Sequence, residues 1–362
     1  MKKKTVYITA AIICLVAAEA RADYTNIAGR VKAISEFWIG GVVKDTDTSP
    51  NSALSDTGAA ANVRVGGAGA YEFHSTDSSP SGGLYLEGAP LPSRYHFELD
   101  YYNDNDWYGD LRYSFKDAIR TRVMTRRFYH NLDNLTLFDY GSATVDSQDA
   151  GVDDYGIRME IDEYSLRFKT PSYPFHFYIN GETITRKGKR QQRFLGGNAY
   201  FFGGSGRVRT SQARDVDQKS NDLGFETNAH LGWIEFDIAH HDKKFNSDVA
   251  PDTYTYSSGI TSVHNVIPEI ESSTDTLKLH TTQSGRLFIS TTFQQVEKDN
   301  NYSHAEADRS MGYGEIFWLP RSWIAFTAKY RHQKNTASAP ATVVADGLTP
   351  VHVPPPPTTT TA

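Results

Sequence analysis

The sequence predicts an all-β protein, an antiparallel transmembrane β-barrel of the outer-membrane type. Three observations predict it. Apolar and polar residues alternate with period two along nearly the whole chain. The alternating segments run to about 9 to 12 residues, the length a tilted strand needs to cross a bilayer and longer than the ~5 to 6 usual in soluble sheets. Tight turns alternate with long polar loops, as in barrels that keep short turns on one side of a membrane and long loops on the other.

The first 22 residues stand apart. Lys2, Lys3 and Lys4 form a basic start, Val6 to Val16 a short apolar run, and Ala20-Arg21-Ala22 a small-x-small cleavage site. This is the pattern of a Sec-type signal peptide, so residues 1–22 are expected to be removed on export. Cys14 is the single cysteine, and Ile12 and Ile13 before it do not suit lipidation. Loss of residues 1–22 moves the net charge from −6 to −9 and leaves no cysteine. A disulfide framework, a thiolate metal site, a cysteine nucleophile and covalent haem attachment through CxxCH are thereby excluded for the mature chain. A net acidic exported chain is also a poor partner for nucleic acid. No stretch reaches the ~18 to 20 apolar residues of a spanning helix.

The strands follow in order. Tyr95, Phe97, Leu99 and Tyr101 alternate with His96, Glu98 and Asp100; Leu111, Tyr113 and Phe115 with Arg112 and Ser114; Ile119, Thr121 and Val123 with Arg120 and Arg122. Tyr164, Leu166 and Phe168 enclose Ser165 and Arg167, and Phe175, Phe177 and Ile179 enclose His176 and Tyr178. Leu223 to Leu231, Ile234 to Ile238, Leu287 to Phe293 and Ile324 to Tyr330 repeat the pattern. Weaker candidates lie at Ile27 to Val43, Val63 to Phe73, Gly83 to Gly88, Thr276 to Thr282 and Gly312 to Leu319. Because side chains alternate across a strand, each segment has one apolar and one polar face.

Asn103 to Asp106, Gly232 and Ser284-Gly285 read as tight turns. Asp133 to Asp153, Gly188 to Asn221, Asn246 to Thr274 and Lys298 to Met311 read as long loops. Tyr101, Tyr102, Trp107, Tyr108, Trp233, Trp318 and Trp323 sit at strand ends, where aromatic girdles form. Residues 23–334 are thus expected to carry barrel strands and loops, and the Pro/Thr-rich 335–362 to be a disordered tail. That tail offers no closing strand, so the chain is expected either to close among its visible strands or to be an incomplete, N-terminal half of a larger barrel. A soluble β-sandwich is the alternative fold.

No catalytic constellation emerges, and the protein is expected not to be an enzyme. His240-His241-Asp242 is the densest cluster and reads as a solvated strand end. The glycines at 196–197 and 203–206 precede no helix, so phosphate cradling by a P-loop is not supported. No cofactor or metal ligand is expected in this chain. The candidate site is instead the polar face. It comprises His96, Glu98, Asp100, Arg112, Arg120, Arg122, Arg126, Arg167, His176, Glu226, Asn228, His230, Lys329 and Arg331. Such a mixed-charge wall suits many hydrogen bonds to a polar partner, whereas a diffusion pore concentrates charge at a constriction.

Three segments carry a resemblance. EYSLRFKTPSYPFHF, ending at Phe177, is followed by GETITRKGKRQQRF at Gly181 to Phe194 and by RDVDQKSNDLGFETNAHLGWIEFDIAHHDKKF at Arg214 to Phe245. This order of strand, Pro turn, strand, basic loop and hairpin resembles the MtrB/PioB family of decahaem-associated outer-membrane barrels. The resemblance implies an outer-membrane location and a sheath around a periplasmic multihaem c-type cytochrome. The sheath would dock that cytochrome to an outer-surface one, with haem carried only by the partners. Barrels of that family are about twice as long, with more than twenty strands against roughly 12 to 15 expected here by the ten-residue alternation test. Some members also carry an N-terminal CxxC, which this chain lacks. The other functional expectations are a general diffusion porin, an adhesin-like surface barrel and a truncated, non-functional fragment.

Overall fold

The computed structural model describes residues 24–25, 32–42, 63–65, 78–116, 118–132, 135–137, 143–147, 155–169, 174–196, 207–255, 261–264, 266–281 and 286–339. It also describes short pairs at 342–343, 351–352 and 360–361. Thirteen long strands form one sheet: β1 (Lys32–Val42), β2 (Ser79–Gly88), β3 (Ser93–Asn103), β4 (Asp106–Phe115), β5 (Ile119–Leu132), β6 (Tyr155–Lys169), β7 (Phe175–Gly196), β8 (Arg207–Leu231), β9 (Ile234–Ser247), β10 (Ile270–Thr281), β11 (Leu287–Asn300), β12 (Ala305–Arg321) and β13 (Ile324–Ser338). Each is hydrogen-bonded to the next in chain order, and every one of these pairings is antiparallel. The fold is therefore all-β, with no helix among the described residues. β1 and β13 do not pair with each other. Tyr24–Thr25 lies beside β1 and Thr360–Thr361 beside β13.

The sheet is a single layer. Only Tyr155, Ile157, Val216, Ala229 and Val296 are buried hydrophobics among the described residues. The apolar members of the strands lie uncovered instead: Leu111, Val123, Leu166, Phe168, Phe177, Phe225, Ile238, Phe293, Ile316 and Phe326 are each about two-fifths to one half exposed. A sandwich would bury this face against a second sheet. The sandwich alternative fails here, since no second layer is present among the described residues.

Connections at one end of the sheet are short. Residues 89–92, 116–118, 170–174, 232–233, 282–286 and 322–323 each link two strands with five residues or fewer. The other end carries 43–78, 104–105, 133–154, 197–206, 248–269 and 301–304. The alternation of turn length is present, with two corrections. The tight turn at Asn103 to Asp106 lies at the long-loop end. Two of the expected long loops, Gly188 to Asn221 and Lys298 to Met311, are mostly strand. β7 and β8 pair without interruption from Phe175↔Ala229 to Gly196↔Val208, and β11 and β12 are joined by 301–304 alone. The physical reason is that both faces of these extensions are polar. The period-two apolar signal vanishes there, but the backbone ladder needs no apolar face to continue. Asn246 to Thr274 holds the end of β9, a small hairpin of Asp252–Thr255 with Thr261–His264, and the start of β10. The last strand runs to Ser338, and Thr342–Val343 pairs with Val351–His352. Residues 1–22 lie outside the described residues.

One glycine is demanded by backbone geometry. Gly232 has φ of 68° in the two-residue turn Gly232-Trp233, and no atom stands within 4 Å of where a Cβ would be. Conformation alone therefore selects glycine there. A second set is selected by close approach. A Cβ on Gly181 would fall 2.1 Å from the Tyr164 ring, and one on Gly83 would fall 2.0 Å from Trp38 Nε1. Each ring lies across the opposite strand and covers the bare backbone.

Candidate functional site on the polar face

Residues directly opposite in a ladder project to the same side of a sheet. This places every candidate on one face. His96 faces Arg112, and Arg112 faces Arg122; Arg120 faces Arg167, which faces Tyr178 and through it Glu226. His176 faces Asn228, and the rung continues through Asp237, Lys278, Thr292 and Tyr313 to Arg331. Lys329 faces Glu315 and His230 faces Glu235. Glu98 and Asp100 lie on the same side of β3 as His96, and Arg126 on the same side of β5 as Arg122. The opposite face carries the exposed apolar band.

Asp110 organises the first cluster. It is 1% exposed and faces Glu98 on one side and Met124 on the other. Arg112 donates to its Oδ2 from Nε at 2.9 Å and from Nη2 at 2.5 Å. Arg122 donates from Nε to Oδ1 at 3.1 Å and from Nη2 to Oδ2 at 3.0 Å. Two guanidinium groups directly opposite each other repel; one buried carboxylate between them offsets that repulsion with charge-assisted bonds. Arg126 instead stands over the Phe128 ring at 5.2 Å. Trp38 Nε1 donates to Asp100 at 3.1 Å.

Charge is sorted along the strands. Arg94, Arg120 and Arg167 lie towards the short-turn end, and Arg112 and Arg122 one rung further in. Glu163, Glu182 and Asp222 then form a continuous rung, with Lys243 3.7 Å from Asp222. A groove of about 460 Å³ opens over the arginine rungs, and one of about 350 Å³ over the acidic rung. On the other half of the sheet, Glu235 Oε2 stands 3.2 Å from His230 Nδ1 and 3.7 Å from His280 Nε2, and Asp237 Oδ2 is also 3.7 Å from His280 Nε2. Lys329 pairs with Glu315 at 3.1 Å. Among the described residues no group of three or more His, Asp or Glu is arranged to hold a metal ion.

His240 and His241 are consecutive in β9 and project to opposite faces. His240 lies 2.7 Å from Asp275 and 3.0 Å from Asp242, and His241 lies across Gly224 on the polar face. Beyond the apolar band the outer face turns polar, with Lys187 bonded to Asp217 at 3.0 Å and Lys244 bonded to Glu271. The Lys244 ammonium holds the Glu271 carboxyl below its ordinary range, and Glu271 holds the ammonium above its own.

The aromatics divide. Trp233, Trp318 and Trp323 lie at the short-turn end, exposed by 67%, 49% and 74%, with Trp318 stacked on Phe326 at 5.7 Å. At the other end Trp107 faces Tyr101 on the apolar face, under the Arg127 guanidinium at 5.4 Å. Tyr102 and Tyr108 turn to the polar face, where Tyr102 meets Trp38 at 5.8 Å. Only the first two fit a girdle at that end.

Sequence reasoning missed Arg94, Glu163, Glu182, Asp222, Glu235 and His280 as members of the site. Parity would have found Arg94, two residues before His96. Glu182 precedes and Asp222 directly follows the stretch read as a loop, Gly188 to Asn221, and both lie just outside the alternating segments read as strands.

No family model matches the chain, and no curated protein does. Among solved structures, the loop L8 deletion mutant of OmpT, an outer membrane protein of Vibrio cholerae, is similar over 85% of this chain and 93% of its own, at 7% identity and a TM-score of 0.30. In-vitro folded OmpT of the same organism is similar over 89% of this chain and 93% of its own, and its trimer form over 91% and 96%, both at 7% identity and a TM-score of 0.31.

Proposed function

We propose that this chain forms the wall of an outer-membrane β-barrel, with the apolar band in lipid and the polar face enclosing a multihaem c-type cytochrome. The lipid assignment rests on the uncovered apolar face. A monomeric soluble protein rarely leaves a continuous apolar patch beyond a few hundred Å², and here the patch crosses strand after strand. Trp233, Trp318 and Trp323 mark its short-turn edge.

The observation that carries the sheath reading is wall height. β7 has 22 residues and β8 has 25. At ~3.3 Å per residue and a tilt of ~45°, strands of this length rise on the order of 50 Å, about twice the ~25 Å apolar band of such barrels. A solute pore needs only to cross the lipid, whereas a sheath for an elongated protein benefits from a taller polar wall. The segment order of Glu163 to Phe245, which resembles the MtrB/PioB barrels, supports the same occupant. In this reading the chain carries no haem, takes no part in chemistry, and positions the electron carrier.

The test is co-purification of haem-stained protein with the chain expressed in a strain that makes multihaem cytochromes. Reversing Arg120, Arg122 and Arg126 together is expected to reduce recovery strongly, while single reversals reduce it modestly. Undiminished recovery with the triple variant, folded and in the outer membrane, overturns the sheath assignment of this face.

One observation favours a second reading, a diffusion channel. The arginine rungs and the acidic rung of Glu163, Glu182 and Asp222 are separated rather than intermixed, as at a pore constriction. Stable ion conductance by the purified chain alone in planar bilayers, with no haem protein recovered, would select it.

A further inference from the structure

We propose that two copies of this chain close into one barrel, with β13 of each copy lying parallel to β1 of the other. The two sheet edges motivate it. Apart from the two-residue pairings of Tyr24–Thr25 with β1 and of Thr360–Thr361 with β13, neither strand has a second neighbour among the described residues. Those short pairings touch only residues 32–33 and 334–335. Residues 34–39 and 325–330 therefore each present one row of backbone groups with no ladder partner among the described residues. Lipid offers such groups no hydrogen bond, so a sheet that spans a membrane must close.

Strand direction fixes the kind of seam. Thirteen strands in an unbroken antiparallel meander leave both edges running the same way, from the short-turn end to the long-loop end. A seam between β1 and β13 is then parallel, within one chain or between two copies inserted alike. The apolar band sets its register. One rung runs from Phe37 on β1 through Thr125, Asp162 and Lys244 to Ser338 on β13. The exposed band falls steadily away from that rung. Phe37 lies on it, Val123 two residues below, Leu166 four, Ile238 six and Phe326 twelve. This drift is the strand tilt read from within the sheet. A band that is level in the membrane joins positions of equal height, not of one rung. On β13 the exposed Phe326 and Tyr330 centre the band on Ala328. The seam thus sets Ala328 against Phe37 of the partner subunit. The same offset matches Ile324 with Ala33 of the partner subunit, Phe326 with Ser35 of the partner subunit and Arg331 with Gly40 of the partner subunit. Large side chains meet small ones, and no like charges are opposed.

Width decides between one copy and two. At ~4.8 Å per strand and a tilt of ~40°, thirteen strands close to a backbone diameter of about 26 Å, and a side-chain layer of ~5 Å on each wall leaves about 16 Å. A single helix, ~10 to 12 Å across, nearly fills that. Twice the strands leave about 42 Å by the same geometry. A compact 100-residue domain, with a radius of gyration of ~13 Å, is on the order of 34 Å across and fits. The choice of two copies rests on the sheath reading, which needs a lumen of protein width; the register of the seam does not. A two-fold axis along the membrane normal makes both seams identical, so the ring closes.

The test is oxidative cross-linking of full chains in outer membranes. The single cysteine is Cys14, and the unaltered chain, expected to lose it on export, serves as the blank. One chain carries Phe37→Cys and a second, marked by an affinity tag, carries Ala328→Cys. Co-expression is expected to give a covalent two-chain product. Either chain alone is expected to give none, because the two-fold axis holds equal positions on opposite walls. Moving the second cysteine to His332→Cys shifts it ~13 Å along the same face, beyond disulfide reach, and is expected to lower the yield at least tenfold. Ser35→Cys with Phe326→Cys repeats the matched test one step along the seam. No two-chain product from either matched pair, or equal yields in and out of register, overturns the proposal. So does an intramolecular link in a chain carrying both Phe37→Cys and Ala328→Cys, which reports one copy closing on itself. Haem-protein recovery is scored separately. Cross-linked pairs without haem protein sink the sheath reading alone, and haem protein recovered with chains that never cross-link sinks this proposal alone.

Discussion

Replacing Asp110 by Asn tests whether the polar face is a designed electrostatic network or a set of independent wet side chains. Asp110 has no exposed side-chain surface, while Arg112 and Arg122 expose 55% and 38% of theirs. Removing one partner of a fully buried ion pair costs about 3 to 5 kcal/mol. The partial exposure of both arginines lowers this, because water solvates their freed donors. The directly opposed pair then repels without compensation, which adds back a fraction of 1 kcal/mol. The expected loss is about 2 to 3 kcal/mol. It would be read as a lowered urea midpoint for the protein in lipid vesicles, followed by tryptophan fluorescence. Asp110→Asn combined with Arg112→Gln and Arg122→Gln removes the repulsion together with the bonds, so part of the loss is expected to return. A loss below about 0.5 kcal/mol, or a triple variant less stable than the sum of the separate changes, would refute the network reading.

Three further outcomes are expected. Gly181→Val places side-chain atoms where the Tyr164 ring lies 2.1 Å from the Cβ position, and overpacking of that order costs about 1 to 3 kcal/mol; the urea midpoint checks it, and pairing with Tyr164→Ala is expected to relieve it. Phe177→Arg on the apolar band is expected to cost about 2 to 4 kcal/mol in vesicles, whereas Tyr178→Arg beside it on the polar face costs little; equal losses would sink the assignment of faces. For Lys244 and Glu271 on the polar extension, the folded carboxyl lies below its unfolded value, so the pair's stabilisation is present above that unfolded value and is lost as pH falls through the folded one. The acid-induced drop in unfolding midpoint is therefore expected to be smaller in Lys244→Met than in the unaltered chain, and an identical pH profile would exclude a contribution from this pair.

Local alternation determined a great deal without any tertiary information. The fold class, the faces of the strands and the side on which each candidate lies all follow from a period of two, because a side chain's face is fixed by its position in its own strand. His96, Arg112, Arg122, Arg167 and Glu226 were assignable to one face from parity alone. The tertiary structure decided what parity cannot reach. Register between strands is a non-local property, and it alone brings Arg112 and Arg122 onto one carboxylate, Arg120 against Arg167, and Glu163, Glu182 and Asp222 onto one rung. It also decided where strands end. Apolar alternation stops where neither face of a strand is apolar any longer, but backbone hydrogen bonding does not. Much of the stretch read as a loop between Gly188 and Asn221 is for that reason paired strand, up to Gly196↔Val208.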